Sequence, residues 1–108
     1  PVDPPAAPSE PDLTLAEARA LIDHAWLAYE AGDPETALSE SRRALPTLQQ
    51  AGDPYEANAN YNIGVSLMQL GDCSSALPYL ETAAAHPSGT DEQHRKREQA
   101  VRDAQRCA

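Results

Sequence analysis

The sequence predicts an all-α protein made of two helix-turn-helix units and a C-terminal helix. Alanine and leucine are abundant, whereas phenylalanine is absent and valine and isoleucine are few, a composition that favours helices over strands. Gly-Asp pairs at positions 32–33, 52–53 and 71–72 lie 20 and 19 residues apart. A glycine that ends one helix in the left-handed conformation, followed by an aspartate that caps the next, predicts a tight turn at each pair.

The first helix has its own start and stop signals. Thr14 and Glu17 match a capping box, in which each side chain accepts a hydrogen bond from the backbone N–H of the other residue. Apolar residues then recur at helical spacing between Ala18 and Ala31. Because Gly32 ends this pattern, we place the first helix at about residues 14–31.

The turns carry the signals for the later helices. Pro34 and Pro54 directly follow the first two Gly-Asp pairs, at the first helical position that proline favours. The spacing in Asp53–Glu56 predicts a second capping box, and that in Thr90–Gln93 predicts a third. The remaining helices are therefore expected at about 34–50, 54–70, 73–86 and 91–106, with neighbours antiparallel because the connections are short.

Residues 1–12 are a proline-rich segment ahead of a domain at residues 13–108. The prolines in it are Pro1, Pro4, Pro5, Pro8 and Pro11. Since proline fixes φ and removes a backbone donor, we expect a disordered linker that tethers the domain to an upstream domain or membrane segment. A proline-rich docking ligand is the alternative interpretation.

Composition and motifs argue against several classes of function. The chain has 17 acidic residues against 8 Lys and Arg, which argues against nucleic acid as a partner. No apolar run approaches the roughly 20 residues that a membrane span requires. No nucleophile, zinc or phosphate-loop motif occurs, and the histidines are scattered. We therefore expect no enzymatic activity, no metal and no cofactor.

The segment Tyr61–Pro87 resembles a tetratricopeptide repeat (TPR). The residues that carry the resemblance are Tyr61, Ile63-Gly64, Leu67, Gly71-Asp72, Ala76, Leu80, Ala83 and Pro87. An earlier copy matches at Leu21, Ala25, Gly32-Asp33, Ala37 and Ala44. The resemblance implies a right-handed TPR-like superhelix of two repeats, with the last helix as a capping helix. An unrelated helical bundle is the alternative.

In this family the first helix of each pair lines a concave face that binds a peptide or a partner protein. The resemblance, combined with helical spacing, gives as partner-binding candidates Trp26, Tyr29, Asn58, Tyr61, Asn62, Val65, Met68, Arg95 and Arg102. Neighbouring positions on the same faces are Arg19, Ile22, Asp23, Glu30, Gln69, Lys96 and Gln99. The aromatic and aliphatic members are expected to anchor the ligand, the asparagines to hydrogen-bond it and the arginines to attract acid.

Alternatives to this binding hypothesis stay open. Trp26 and Tyr29 are equally expected to pack between helices, and Asn62 to be a tolerated polar residue. The module as a whole is alternatively a structural spacer or a self-association module, because two repeats make a short groove.

Cys73 and Cys107 are predicted to form a disulfide. They begin the fourth helix and end the fifth, which fold back at a turn near residue 89. The two arms hold 16 and 18 residues, so at about 1.5 Å per residue their ends return level, within disulfide range. Two reduced cysteines are the alternative. A structural disulfide indicates an oxidising space, so we expect an extracytoplasmic domain, with the cytoplasm as the alternative.

A second resemblance concerns the segment Tyr55–Glu81. It is similar to the repeat tails of some bacterial receptor-type serine/threonine kinases. That resemblance implies a sensor or interaction tail, with the kinase and the membrane segment upstream.

Overall fold

A computed structural model describes residues 12–108, which contain five α-helices and no strand. The helices are α1 (Leu15–Glu30), α2 (Pro34–Ala51), α3 (Tyr55–Gln69), α4 (Cys73–Ala85) and α5 (Asp91–Cys107). Every bound lies within one residue of the predicted one, so the all-α prediction is confirmed. The predicted disorder of residues 1–12 concerns a segment that, except for Asp12, lies outside the described residues.

The predicted caps form at four of the five helix starts. The capping boxes Thr14–Glu17 and Thr90–Gln93 are both complete, with reciprocal side-chain bonds. The carboxylates of Asp33 and Asp72 each accept the backbone N–H three residues further on, at the starts of α2 and α4. These bonds involve only neighbouring residues, which explains why a local pattern in the sequence predicted them.

The glycines of the three Gly-Asp turns adopt the left-handed conformation that was predicted. Their φ angles are +84° at Gly32, +60° at Gly52 and +86° at Gly71. An L-residue with a Cβ is strained at such angles, so glycine is required to stop each helix and reverse the chain.

The capping box predicted at Asp53–Glu56 is wrong. Helix α3 has Pro54 at its cap position and no side-chain cap bond. The carboxylate of Asp53 is buried and accepts three bonds, from the Tyr55 N–H at 2.9 Å, from Arg19 Nε of α1 at 3.1 Å and from Nη2 of the same arginine. The bond from Arg19 holds the pKa of Asp53 below its ordinary value. Asp53 therefore ties the α2–α3 turn to α1, a pairing across 34 residues that local spacing does not reveal.

The five helices form two layers. Consecutive helices pack against each other, and α3 also contacts both α1 and α5. Helices α1, α3 and α5 thus share one layer, while α2 and α4 lie behind them. One core cluster surrounds Ile63 and Leu80, and a second surrounds Ile22 and Leu48. The layer of odd-numbered helices has an open face, and this face carries the candidate site.

Helices α3 and α4 approach closely at Gly64. A Cβ added there would lie 2.4 Å from Cγ of Leu80, whose side chain is fully buried. A leucine side chain thus lies over the glycine, and this contact places α4 on α3.

The predicted disulfide is present. Cys73 and Cys107 are bonded, with their Cα atoms 5.7 Å apart, so the first turn of α4 is joined to the last turn of α5. The Cys73 side chain is buried, whereas Cys107 is exposed.

Replacing Ser41 by alanine is expected to raise the free energy of unfolding by about 1–2 kcal/mol. The Ser41 hydroxyl is fully buried in α2 and has no hydrogen-bond partner. Ser39→Ala is the matched control, because Ser39 is exposed in the same helix and its replacement reports helix propensity alone, about 0.5 kcal/mol. Urea denaturation measures both. A stabilisation no larger than the control would show that the Ser41 hydroxyl is satisfied in solution.

Candidate functional site

An open groove with a volume of about 900 Å³ lies on the layer formed by α1, α3 and α5. All of the predicted partner-binding residues from the first two of these helices line it, namely Trp26, Tyr29, Asn58, Tyr61, Asn62, Val65 and Met68. The contribution of α5 consists of Gln93, Lys96, Arg97, Gln99, Ala100 and Asp103. The groove is thus mainly apolar along α1 and α3 and mainly polar along α5.

Three aromatic rings form the apolar wall. Trp26 stacks on Tyr29 with ring centroids 5.2 Å apart, and Tyr61 lies 6.0 Å from Trp26 at a tilted angle. All three side chains are half-buried and also pack on the Ile63–Leu80 core cluster. The two interpretations of these residues are therefore compatible, because each ring both packs between helices and lines the groove.

The hydroxyl of Tyr61 is protonated at neutral pH, and its environment favours that form further. Burial is the main cause that raises the pKa of Tyr61 above its ordinary value, and the nearby Tyr29 and Asp103 raise it further. The Tyr61 side chain therefore lines the groove as a neutral phenol that can both donate and accept a hydrogen bond.

The two asparagines of α3 already have partners within the domain. The buried Asn62 donates from Nδ2 to the backbone carbonyl of Ile22 at 3.3 Å, which links α3 to α1. Asn58 is half-buried and accepts at Oδ1 from Arg97 at 3.5 Å. Asn62 is thus a structural contact at the base of the groove, and Asn58 positions a cation beside it.

Arg97 is the charged residue of the groove that is most deeply buried, with 3% of its surface exposed. Its guanidinium donates to the carbonyl of Ser88 at 2.5 Å and to Asn58, both of which are neutral acceptors. Within residues 12–108 it forms no ion pair with a carboxylate. Burial lowers the pKa of Arg97, but an arginine remains charged at neutral pH. The protein therefore keeps at the groove a largely desolvated positive charge that forms no ion pair within residues 12–108.

Arg95 and Arg102, which were predicted to attract acid from the groove, lie outside it. Both are exposed. Helix α5 packs through Arg97, Ala100 and Ala104, and at about 100° per residue this orientation turns positions 95 and 102 away from the groove. Their position was predicted wrongly because Arg97 was not treated as part of the inward stripe, whereas their attraction of an acidic partner stays a prediction. The available signal was its position three residues before Ala100, on the apolar face.

Exposed charges of both signs form the rim. Lys96 of α5 pairs with Glu92 at 3.5 Å, and both side chains are mostly exposed. Asp103 accepts from Gln99 at 2.9 Å, and Asp23 lies on the α1 side. Arg19, Glu30 and Gln69, which were expected on the same faces, do not line the groove. The rim is thus mixed in charge, and only Arg97 brings a desolvated charge to the groove.

Among residues 12–108, no three His, Cys, Asp or Glu side chains cluster as metal ligands would. In the same range, no helix combines the length and the apolar composition that crossing a bilayer requires.

No protein-family model matches this sequence, and searches of curated proteins and of solved structures return no match.

Proposed function

We propose that this protein is an interaction module whose groove binds an extended segment of a partner protein, one that carries an apolar side chain and a carboxylate. The apolar side chain packs on the aromatic wall of Trp26, Tyr29 and Tyr61, and the carboxylate pairs with Arg97. The observation that carries the proposal is Arg97 itself, a buried guanidinium that has no carboxylate partner within the domain and lies beside an aromatic groove.

The burial of Arg97 in the free protein favours the binding of a carboxylate. Desolvating an isolated charge is costly, and Arg97 is desolvated before any ligand arrives. An incoming carboxylate gains a charge-assisted hydrogen bond and has to lose only its own water shell. The aromatic rings contribute contact area at a small cost in side-chain entropy. Apolar contact thus supplies affinity, and Arg97 selects for acid.

Three wider assignments belong to the same proposal. The helix pairing and the repeated Gly-Asp turns support a TPR-like array with α5 as its cap. The similarity of Tyr55–Glu81 to kinase repeat tails supports a role as an interaction tail of a membrane kinase. The Cys73–Cys107 bond supports an extracytoplasmic, oxidising compartment.

Trp26→Ala is expected to weaken peptide binding at least tenfold, because it removes the largest ring of the wall. The probes are fluorescein-labelled peptides in which one Leu, Phe or Trp and one Glu vary in spacing, each synthesised also with Gln in place of Glu. Fluorescence anisotropy measures the affinities. Leu70→Ala is the control, since Leu70 is exposed but lies outside the groove. No binding by any peptide, or equal binding by Glu and Gln peptides, would contradict the proposal.

The charge on the α5 side of the groove is tested by two substitutions that change the net charge of the protein equally. Lys96→Gln removes a positive charge at the rim and is expected to weaken the Glu peptides about two- to fivefold, the usual value of an exposed ion pair. Arg95→Gln removes the same charge one residue away, outside the groove, and is expected to leave the affinity unchanged. If both variants weaken binding equally, overall charge rather than the groove attracts the peptide.

Self-association is a separate outcome of the same experiments. Leu27, at the groove, has 63% of its surface exposed, so a second copy of the chain could cover it. Sedimentation at several protein concentrations reports this directly. A dimer that Trp26→Ala abolishes would identify a second copy as the occupant and would replace the proposed function.

A further inference from the structure

Helix α5 combines a weak attachment with a large contribution to the groove. Of its 17 residues, only Arg97, Ala100 and Ala104 are buried, and the two alanines bury little apolar area. Its main packing partner is α4, and its contact with α3 is small. The polar wall of the groove nevertheless comes from this helix, including Arg97 and Lys96.

The two halves of α5, residues 91–100 and 101–107, are held by different interactions. The N-terminal half has the Thr90 capping box, and Arg97 donates to Ser88 in the loop that precedes the helix. Ser88 in turn donates from its hydroxyl to the carbonyl of Pro54 at 3.3 Å. The C-terminal half has the disulfide to Cys73 in the first turn of α4.

The attachment of the C-terminal half is open to chemical change. Cys107 is an exposed residue in the last turn of α5, so the bond lies near the surface, where a thiolate can approach it. Besides the bond, only the small side chain of Ala104 and the half-buried Val101 hold this half of the helix in the core cluster.

We propose that the groove is under thiol control: an external dithiol that reduces Cys73–Cys107 releases the C-terminal half of α5 and weakens binding at the groove. One thiolate of the dithiol attacks a sulfur of the bond to give a mixed disulfide and a free cysteine. The second thiolate then displaces the other cysteine, so that the dithiol leaves as a cyclic disulfide and both cysteines become thiols. The weakening of binding rests on the proposed function, whereas the release of α5 does not.

The consequence for the groove follows from how α5 is packed. Loss of order at Val101 and Ala104 removes two members of the cluster on which Trp26 and Tyr61 also pack. Asp103 belongs to the lining, so the groove loses part of its α5 side as well. Arg97 keeps its bond to Ser88, but the side of the groove beside it is now incomplete. Water therefore reaches the carboxylate of the bound peptide, and its ion pair with Arg97 is weaker.

The test measures order and affinity on the whole chain. Backbone ¹⁵N relaxation is recorded for the oxidised protein, for the protein in dithiothreitol, and for the Cys73→Ser/Cys107→Ser variant in which no bond can form. Order parameters of residues 101–107 are expected to fall from about 0.85 to below about 0.6 without the bond, while those of α1 and α3 stay near 0.85. The affinity of the tightest Glu peptide of the library is expected to fall about tenfold. The variant must not respond to dithiothreitol.

Each other outcome overturns the proposal in a distinguishable way. Unchanged order parameters at residues 101–107 would show that α5 holds without the bond. Loss of order with unchanged peptide affinity would show that the groove does not depend on this half of α5. Loss of order in all five helices would show that the bond is needed for the whole fold and is not a local control. If even the oxidised protein binds no peptide, the proposed function fails, and control of the groove fails with it.

Discussion

Replacing Leu80 by alanine is expected to lower the free energy of unfolding by about 2–5 kcal/mol. The side chain is fully buried in the cluster that joins α3, α4 and α5, and it lies directly over Gly64. Its removal leaves a cavity that the rigid contact between α3 and α4 cannot close. Urea denaturation followed by circular dichroism measures the change, and Leu70→Ala, at an exposed leucine, is expected to cost far less.

A companion substitution at Gly64 tests the same contact in the opposite direction. In the native background, Gly64→Ala places a Cβ 2.4 Å from Leu80 and is expected to destabilise the protein. In the Leu80→Ala background the obstruction is gone, so the same change is expected to stabilise by about 1 kcal/mol through helix propensity. A Gly64→Ala effect of the same sign in both backgrounds would show that Leu80 is not the reason for the glycine.

Loss of the disulfide is the second large effect that we expect. The Cys73→Ser/Cys107→Ser variant should lose about 3–4 kcal/mol of unfolding free energy, because the bond closes a loop with a sequence separation of 34 in the unfolded chain. Native order and global stability are separate quantities here. The unfolding free energy reports the entropy of the unfolded chain, whereas the order parameters of α5 report the folded state.

A comparison with the reduced protein makes this result interpretable. The native sequence measured in dithiothreitol should match the double serine variant measured without it, since both lack the bond. Cys107→Ser alone is less useful, because it leaves Cys73 as a free thiol that is able to form intermolecular disulfides. A loss below about 1 kcal/mol would mean that the unfolded chain is already compact near these residues.

The features predicted correctly from sequence are those governed by neighbouring residues. Each of the two capping boxes that form joins positions three apart. Each left-handed glycine ends a helix without a contact from a distant residue. The disulfide was predicted because α4 and α5 are antiparallel and similar in length, so that Cys73 and Cys107 lie side by side at the same end of the helix pair. The lining of the groove by Trp26 and Tyr61 was also predicted, since helical spacing on α1 and α3 determines which residues share a face.

The errors concern pairings between distant elements. Asp53 was assigned to Glu56, three residues away, but it pairs with Arg19 across 34 residues. Arg95 and Arg102 were assigned to the groove, which contains Arg97 instead. In both cases the sequence offered a locally reasonable partner, and packing between helices selected another.

The number of helices, their first and last residues to within one position, and the bond between the two cysteines were all predictable from the sequence alone. Those features depend on backbone hydrogen bonds, glycine conformation and helix length, which are set by a few neighbouring residues or within a single helix. The rotation of α5 about its own axis, and therefore the arginine that enters the groove, was not predictable from the sequence because it depends on packing between helices. An apolar stripe as thin as that of α5 fixes its rotation only weakly, so the orientation depends on contacts with α3, α4 and the disulfide.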